Sequence, residues 1–437
     1  MLSFYGGIHP SENKETTHAK PIETAPIPHR VFVPFSQHTG IPSNPIVKVG
    51  DLVKVGSKIG ETNGRISVPT HATISGKVTE IKDYPHPVLC KRTLTCVIES
   101  NGQDTWDENI KRRSSNEFDT KTLTNIIAEA GIVGLGGAAF PTHIKVTPPK
   151  EKPIETLIIN GCECEPYLTA DHRMMVEYPS EIIEGAKIIA KIVNPKRIII
   201  VIEDNKPDAI AKMKEAVEEF EIPISVIGVK TKYPQGAEKQ LIKAILGSEV
   251  PSGGLPMDVK TLVQNVQTCY AVYEAVKMNK PLVEKVITIT GQVKEPKNLR
   301  VRIGTPIIDL VNLCGGYLQP PTKVVLGGPM MGNAQFNDEL PIIKGTSGIL
   351  VLTDGKIKEE SPCIRCGNCV KACPMNLMPC EINSFIRLKK FDKAKAYNVM
   401  DCIECGCCAY VCPANIRLVH SFKFAKNEIW VKEREKK

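Results

Sequence analysis

Cys363-Ile-Arg-Cys366-Gly-Asn-Cys369-Val-Lys-Ala-Cys373-Pro374 is followed by Cys402-Ile-Glu-Cys405-Gly-Cys407-Cys408-Ala-Tyr-Val-Cys412-Pro413. Both stretches have the spacing C-x2-C-x2-C-x3-C-P, which serves [4Fe–4S] cubanes. Two residues between thiolates let a tight turn bring three sulfurs to one cubane. The fourth Cys, carried past on a helix start, reaches the other cluster. One cluster therefore takes Cys363, Cys366, Cys369 and Cys412, and the other takes Cys402, Cys405, Cys408 and Cys373. Proline after each fourth Cys stops the turn and fixes the exit of the chain. A structural zinc site uses a single set of four thiolates from paired C-x2-C. Two four-cysteine runs, each closed by Pro, point instead to a two-cluster electron conduit.

The segment between the runs carries Ile382, Phe385, Ile386, Phe391, Ala394 and Tyr397 at nearly helical spacing. This predicts an α-helical ferredoxin domain rather than a compact one. Cys380 and Cys407 fall outside the ligand spacing; Cys407, next to a ligand, is read as a packing residue, with a spare thiol as the alternative. The full chain has 437 residues, enough for two to four domains. It holds no apolar run of about 18 residues, and Met1-Leu-Ser-Phe-Tyr-Gly-Gly lacks the charged start and apolar core of a signal peptide. Sixteen Cys in that setting imply a reducing compartment and metal chemistry, not disulfides. The formal charge is +8, but the lysines are interleaved with acids, which argues against a nucleic-acid groove. From Ser421, Phe422, Phe424, Ile429 and Trp430 among Lys and Arg predict a terminal helix packed on its own domain, or a contact with a membrane surface or an acidic partner.

Residues 1–30, rich in Pro and His without a period, read as an extended arm. Residues 31–100 are short β segments broken by Gly and Pro. Ile46-Val-Lys-Val-Gly50-Asp-Leu-Val-Lys-Val-Gly56 and Val68-Pro-Thr-His-Ala-Thr-Ile-Ser-Gly76 resemble a lipoyl-like barrel-sandwich domain. Its tip, Thr62-Asn63-Gly64-Arg65, is a tight-turn signal without the Lys that a carrier would need. Residues 101–120 read as a polar linker. In residues 121–282 a helix leads into Gly131, Gly134, Gly136 and Gly137, a loop whose main chain can approach an anion closely, with Lys145 nearby. Strands are predicted at Ile154–Asn160, Arg197–Ile202 and Ile224–Val229, and helices near Met174–Val193, Pro207–Phe220 and Gly236–Leu246. Such alternation implies a Rossmann-like parallel α/β sheet with ligands at the carboxyl ends of its strands. That rule singles out Asn160, Glu163 and Glu165. Residues 283–352, with a short helix at Ile307–Cys314, suggest a small β-grasp, SLBB-like module. The ferredoxin domain occupies 353–437. The fold class is multidomain α/β.

Gly134-Leu-Gly136-Gly137-Ala-Ala-Phe140-Pro-Thr resembles the flavin loop of the flavoprotein subunit of respiratory complex I. Asn160-Gly-Cys-Glu163-Cys-Glu165-Pro, Tyr233-Pro-Gln-Gly236-Ala-Glu238 and Asn265-Val-Gln-Thr268 are similar to its other FMN and NADH motifs, in the same order. With the barrel-sandwich module, Gly6-Gly7-Ile8-His9-Pro10 and the two-cluster domain added, essentially the whole chain resembles the peripheral subunits of Rnf-type membrane electron-transport complexes.

The resemblance implies that Gly134, Gly136, Gly137 and Lys145 hold the phosphate and ring edge of FMN, with Asn160 hydrogen-bonded to the flavin. Glu163, Tyr233 and Gly236 belong to the same cofactor-binding motifs. Glu165 and Glu238, the implied catalytic residues, approach the nicotinamide and its ribose. Phe140 stacks on NADH, and Asn265 and Thr268 close the phosphate side. Cys162 stands where the complex I pattern has Asp, and Ala237 where it has Glu, so two carboxylates are missing. A nicotinamide delivers two electrons as hydride, a cluster accepts one at a time, and FMN converts between them. The implied activity is NADH oxidation through FMN and two [4Fe–4S] clusters to integral membrane subunits, reversible with ferredoxin through a partner, on the cytoplasmic face of the membrane. The alternatives are a flavin–cluster reductase serving a soluble cobalamin or amino-acid reductase system, and an electron relay that has lost its flavin.

Overall fold

A computed structural model describes residues 2–113, 118–218, 224–353 and 358–435. At its centre, strand Arg197–Glu203, apolar throughout Ile198–Ile202, is flanked by Thr156–Gly161 and Ile224–Val229, all parallel. A fourth parallel strand, Thr261–Asn265, pairs with the other side of Thr156–Gly161. Its sequence, Thr-Leu-Val-Gln-Asn, is too short and polar to announce a buried strand. This strand reverses the strand order and so creates a switch point, the place where α/β sheets open a crevice.

The helix expected over Met174–Val193 is two helices, Ala170–Glu177 and Pro179–Val193. Pro179 lacks the N–H that would continue the first helix but is suited to starting the second. Asn194, left-handed at φ 48°, ends it. Pro179–Val193 packs on Val266–Met278 so closely that a Cβ at Gly185 would land on the Cys269 carbonyl. The expected Pro207–Phe220 helix is described as Pro207–Glu218, and residues 219 and 220 lie outside the described residues.

The β segments near the N-terminus form two small sheets. One orders 30–34, 92–100, 76–85 and 52–53; the other orders 44–45, 58–61 and 70–71. The expected tight tip at Thr62–Arg65 belongs to a longer connection between Lys58–Glu61 and Thr70–His71. Asn63 N–H is held by Ser67 Oγ (3.1 Å), so the turn closes through a side chain rather than a two-residue hairpin. The described part of the expected linker is packed. Trp106 bridges to Val55 and carries the guanidinium of Arg302 5.1 Å from its ring centroid. Residues 114–117 of that segment lie outside the described residues.

The arm is extended but not detached. Ile22–Thr24 joins a six-stranded sheet as a strand parallel to Lys297–Arg302. Phe4, Ile8, Lys14 and Thr17 are buried. Their partners come from three other parts of the chain, which leaves no periodic trace in the sequence.

In the C-terminal part, Pro379–Arg387, Phe391–Ala396 and Leu418–Glu435 pack around Ile382, Ile386, Ala394, Phe422 and Ile429. The predicted helical wrapping is present. Phe424 and Trp430 face outward from the terminal helix.

Candidate active site

Asn160 and Asn265 are register partners at the carboxyl ends of the two strands that flank the switch point. The Gly134–Phe140 loop closes above them through Gly134 N–H to Phe140 O (2.9 Å), Ala139 N–H to Gly134 O (3.1 Å) and Leu135 N–H to Thr268 Oγ1 (2.9 Å). Gly136 lies against the Asn265 side chain, which caps the Val266–Met278 helix by accepting from Gln267 N–H. Gly137 has φ 112°, and a Cβ there would meet nothing within 4 Å. Gly136, Gly137 and Ala138 are exposed. The loop therefore offers bare main chain toward open space.

On the neighbouring strand end, Asn160 Nδ2 donates to Gly236 O (2.8 Å), Asn160 Oδ1 accepts from Cys162 N–H (3.1 Å), and Gly236 N–H reaches Cys164 Sγ (3.3 Å). Glu238, in the first turn of its helix, pairs with Lys145 at 2.6 Å. Ala237 sits at the N-cap without a side-chain cap bond. Glu163 accepts from the N–H groups of Asp171 (2.7 Å) and His172 (3.2 Å) and so caps that helix. Burial pushes its carboxyl up to about 7 against the pull of Lys14. Asp171 links this part to Asn265 (2.6 Å) and Gln267 (2.8 Å). The structure thus brings together Gly134, Gly136, Gly137, Thr268, Asn265, Asn160, Gly236, Lys145 and Glu238. Phe140 borders the loop.

Glu165 and Tyr233 point elsewhere. Glu165 Oε1 accepts from Met330 N–H (2.6 Å) and Met331 N–H (3.0 Å). A Cβ at Gly328 would land on its side chain. Burial raises the Glu165 carboxyl pKa. Tyr233 is fully buried and donates its hydroxyl to Cys405 O (2.8 Å). With Ile8, Ala372, Cys405 and Cys407 it forms one small core, joined by Met330 and Cys164. These two residues therefore face the junction with the cysteine-rich domain.

The eight cysteines of the two runs line two cavities. Cys363, Cys366, Cys369 and Cys412 line one cavity of about 150 Å³. Cys373, Cys402, Cys405 and Cys408 line a second, tighter one of about 20 Å³. Among the described residues no three His, Cys, Asp or Glu groups converge on a single ion. Four cysteines lining one cavity would suit a cubane, whose corners hold its thiolates apart. Cys363 and Cys366 are exposed, whereas Cys373, Cys405 and Cys408 are buried. Cys380, outside the ligand spacing, also lines the first cavity. Cys407 is buried in the junction core.

Sequence reasoning missed the Gly327–Gly332 turn against Glu165, the Lys344–Ser347 turn whose Gly345 abuts Gly137 O, and the buried Lys14 and Lys206. Glycine density was a usable signal for the first; the others are set by contacts distant in sequence.

Residues 2–103 match the RnfC barrel sandwich hybrid domain, 127–274 the Nuo51 FMN-binding domain, 286–334 the SLBB domain and 355–413 a 4Fe-4S dicluster domain. The chain is 50% identical over 98% of its length to a subunit of the proton-translocating ferredoxin:NAD(+) oxidoreductase complex of Clostridium ljungdahlii, covering 94% of that protein. It is 45% identical over 99% of its length to the corresponding protein of the Na(+)-translocating complex of Acetobacterium woodii, covering 98% of it. The chain belongs to the RnfC family of ion-translocating oxidoreductase complexes. A solved NAD+-reducing [NiFe]-hydrogenase aligns over 64% of this chain and 54% of its own, at 20% identity and TM-score 0.49. For this family member, the glycine loop, both strand ends and Glu238 lie within the FMN-binding match. Among the described residues no helix is long and apolar enough to cross a membrane.

Proposed function

We propose that this chain is the NADH-oxidising, peripheral subunit of an ion-translocating ferredoxin:NAD+ oxidoreductase complex. The observation that carries the reading is the switch point. Asn160 and Asn265 stand side by side under a loop of exposed glycine main chain, in a chain whose cysteines ring two cavities. These residues fit the groups the family implies. Gly134, Gly136, Gly137, Asn265 and Thr268 would hold FMN, with Asn160, Gly236 and Lys145 orienting its ring, and the two cysteine rings would each hold a [4Fe–4S] cluster. FMN supplies the conversion from hydride to single electrons.

Glu238, held by Lys145, would meet a nicotinamide ribose. Phe140 at the rim would stack on the nicotinamide. Glu163 would fix the turn after the first strand, and Glu165 and Tyr233 would lock this Rossmann-like domain to the β-grasp and α-helical ferredoxin domains. The ring with buried Cys373, Cys405 and Cys408 touches the flavin domain through Tyr233. It would receive electrons first, and the ring with exposed Cys363 and Cys366 would pass them to an integral membrane partner and onward to ferredoxin at the cytoplasmic face.

Anaerobic reconstitution with FMN, iron and sulfide, followed by NADH titration under optical and EPR detection, tests the reading. Flavin bleaching followed by two cluster signals is expected. Failure to bind FMN, or comparable rates with NADPH, would count against it.

A further inference from the structure

The turn Cys162-Glu163-Cys164-Glu165 leaves the first strand at the switch point, and two buried lysines grip it from behind. Lys206 Nζ donates to Cys162 O (2.7 Å), Asn205 Oδ1 (2.8 Å) and Glu203 Oε2 (3.2 Å). Lys14 Nζ donates to Glu163 O (2.5 Å) and Leu168 O (2.8 Å), with Glu163 Oε2 at 3.9 Å. Both lysines are buried. In a trans peptide the N–H points opposite the C=O. Holding the carbonyls of Cys162 and Glu163 inward therefore turns the N–H groups of Glu163 and Cys164 outward. Glu163 is left-handed, at φ 48°, and successive N–H groups in such a turn form a concave anion site. Among the described residues the N–H groups of 163, 164 and 165 have no acceptor. The Glu163 side chain is only 6% exposed while the residue as a whole is half-buried, so the part it presents is main chain.

We infer that Lys14, brought in by the N-terminal arm, is a positioning residue of the flavin site. With Lys206 it sets the 162–165 turn with its N–H groups outward and lends positive potential to the anionic edge of reduced flavin. The inference rests on FMN binding at 127–274 but goes beyond it, because Lys14 lies outside that match. Each lysine faces one buried carboxylate, Glu203 at 3.2 Å from Lys206 and Glu163 at 3.9 Å from Lys14, and Cys162 adds no further negative charge. Charge near the flavin ring is one of the levers by which a protein tunes its electronics.

The test measures dissociation constants of oxidised and reduced FMN from the full-length, cluster-loaded chain and from Lys14→Met. The expected result is at least tenfold more weakening for reduced than for oxidised FMN, which lowers the two-electron potential by about 30 mV. A purely structural role would weaken both forms alike. Lys206→Met, which removes the second cation, must shift the ratio in the same direction, and it decides the question if Lys14→Met does not fold. An unchanged ratio in a folded variant overturns the role of Lys14. Failure of the wild-type chain to bind FMN would instead overturn the functional reading beneath it.

Discussion

At the scale of single residues, the crosswise grouping of the cysteines gives a sharp expectation. Cys412→Ser should spoil the cluster held by Cys363, Cys366 and Cys369, although Cys412 belongs to the second run. Cys373→Ser should spoil the other. Cys380 lines the first cavity and offers a stand-in sulfur, so the experiment is best done with Cys380→Ala as well. EPR showing that each variant damages the cluster of its own run would overturn the assignment.

A second residue-scale expectation concerns Lys344. Its ammonium is buried with the carbonyls of Gly131 (2.8 Å) and Pro69 (3.5 Å) as acceptors, and burial pushes it down from 10.5 to about 7. Between these values the unfolded chain keeps a proton that the folded chain has released. Stability from this group is therefore fully present above 10.5 and is lost as pH falls through 7, by up to about 1.4 kcal/mol per pH unit. Lys344→Met should flatten that slope in thermal melts from pH 6 to 9. A wild-type-minus-variant difference that stays constant over this range would contradict the assignment.

At the scale of elements, close approaches decide how the site is framed. Helices Pro179–Val193 and Val266–Met278 meet at Gly185, where a Cβ would strike the Cys269 carbonyl. Gly185→Ala should cost about 1–3 kcal/mol despite the better helix propensity of Ala. A variant as stable as wild type in denaturant titration would show that the helices can part freely. The junction of the Tyr233 turn with Cys405 is the other sensitive contact. Tyr233→Phe leaves a buried carbonyl without its donor, a loss of about 1–3 kcal/mol. It should slow cluster reduction more than flavin bleaching in stopped-flow traces after NADH mixing. Equal slowing of both phases would place Tyr233 in the nucleotide site instead.

For the whole molecule, the boundary before the cluster domain is less clean than a polar turn at Thr353-Asp-Gly-Lys suggests. Residues 354–357 of that turn lie outside the described residues. Across it, Gly7 N–H bonds Ala372 O (2.9 Å), Gln240 Nε2 bonds Pro374 O (3.1 Å), and Ile8 and Tyr233 share a core with Cys405 and Cys407. A fragment ending at Thr353 should therefore expose an apolar patch, melt earlier and self-associate. It keeps every residue from Gly134 to Thr268, so it should still bind FMN and be bleached by NADH, yet fail to reduce the one-electron membrane partner. A folded fragment without FMN affinity would mean that the cluster domain helps to build the flavin site. One that still reduces the partner would remove the clusters from the path.

Local signals in the sequence settled the elements whose physics is local. Cysteines separated by two residues must share a turn, so three thiols of each group were legible from local spacing, whereas the fourth, Cys412 or Cys373, lines the cavity of the other run. An apolar run such as Arg-Ile-Ile-Ile-Val-Ile at 197–202 forms a buried strand wherever it falls, and glycines at 134–137 mark bare main chain. Tertiary structure alone decided which side of Thr156–Gly161 the fourth strand would take, and hence where the crevice opens. It also turned Glu165 toward Met330 and Met331, brought Lys14 beneath Glu163 and buried Tyr233 against Cys405. Each of these pairings joins residues more than a hundred positions apart through one or two hydrogen bonds. No periodicity records such a contact, because the free energy that selects it comes from the packing of whole domains.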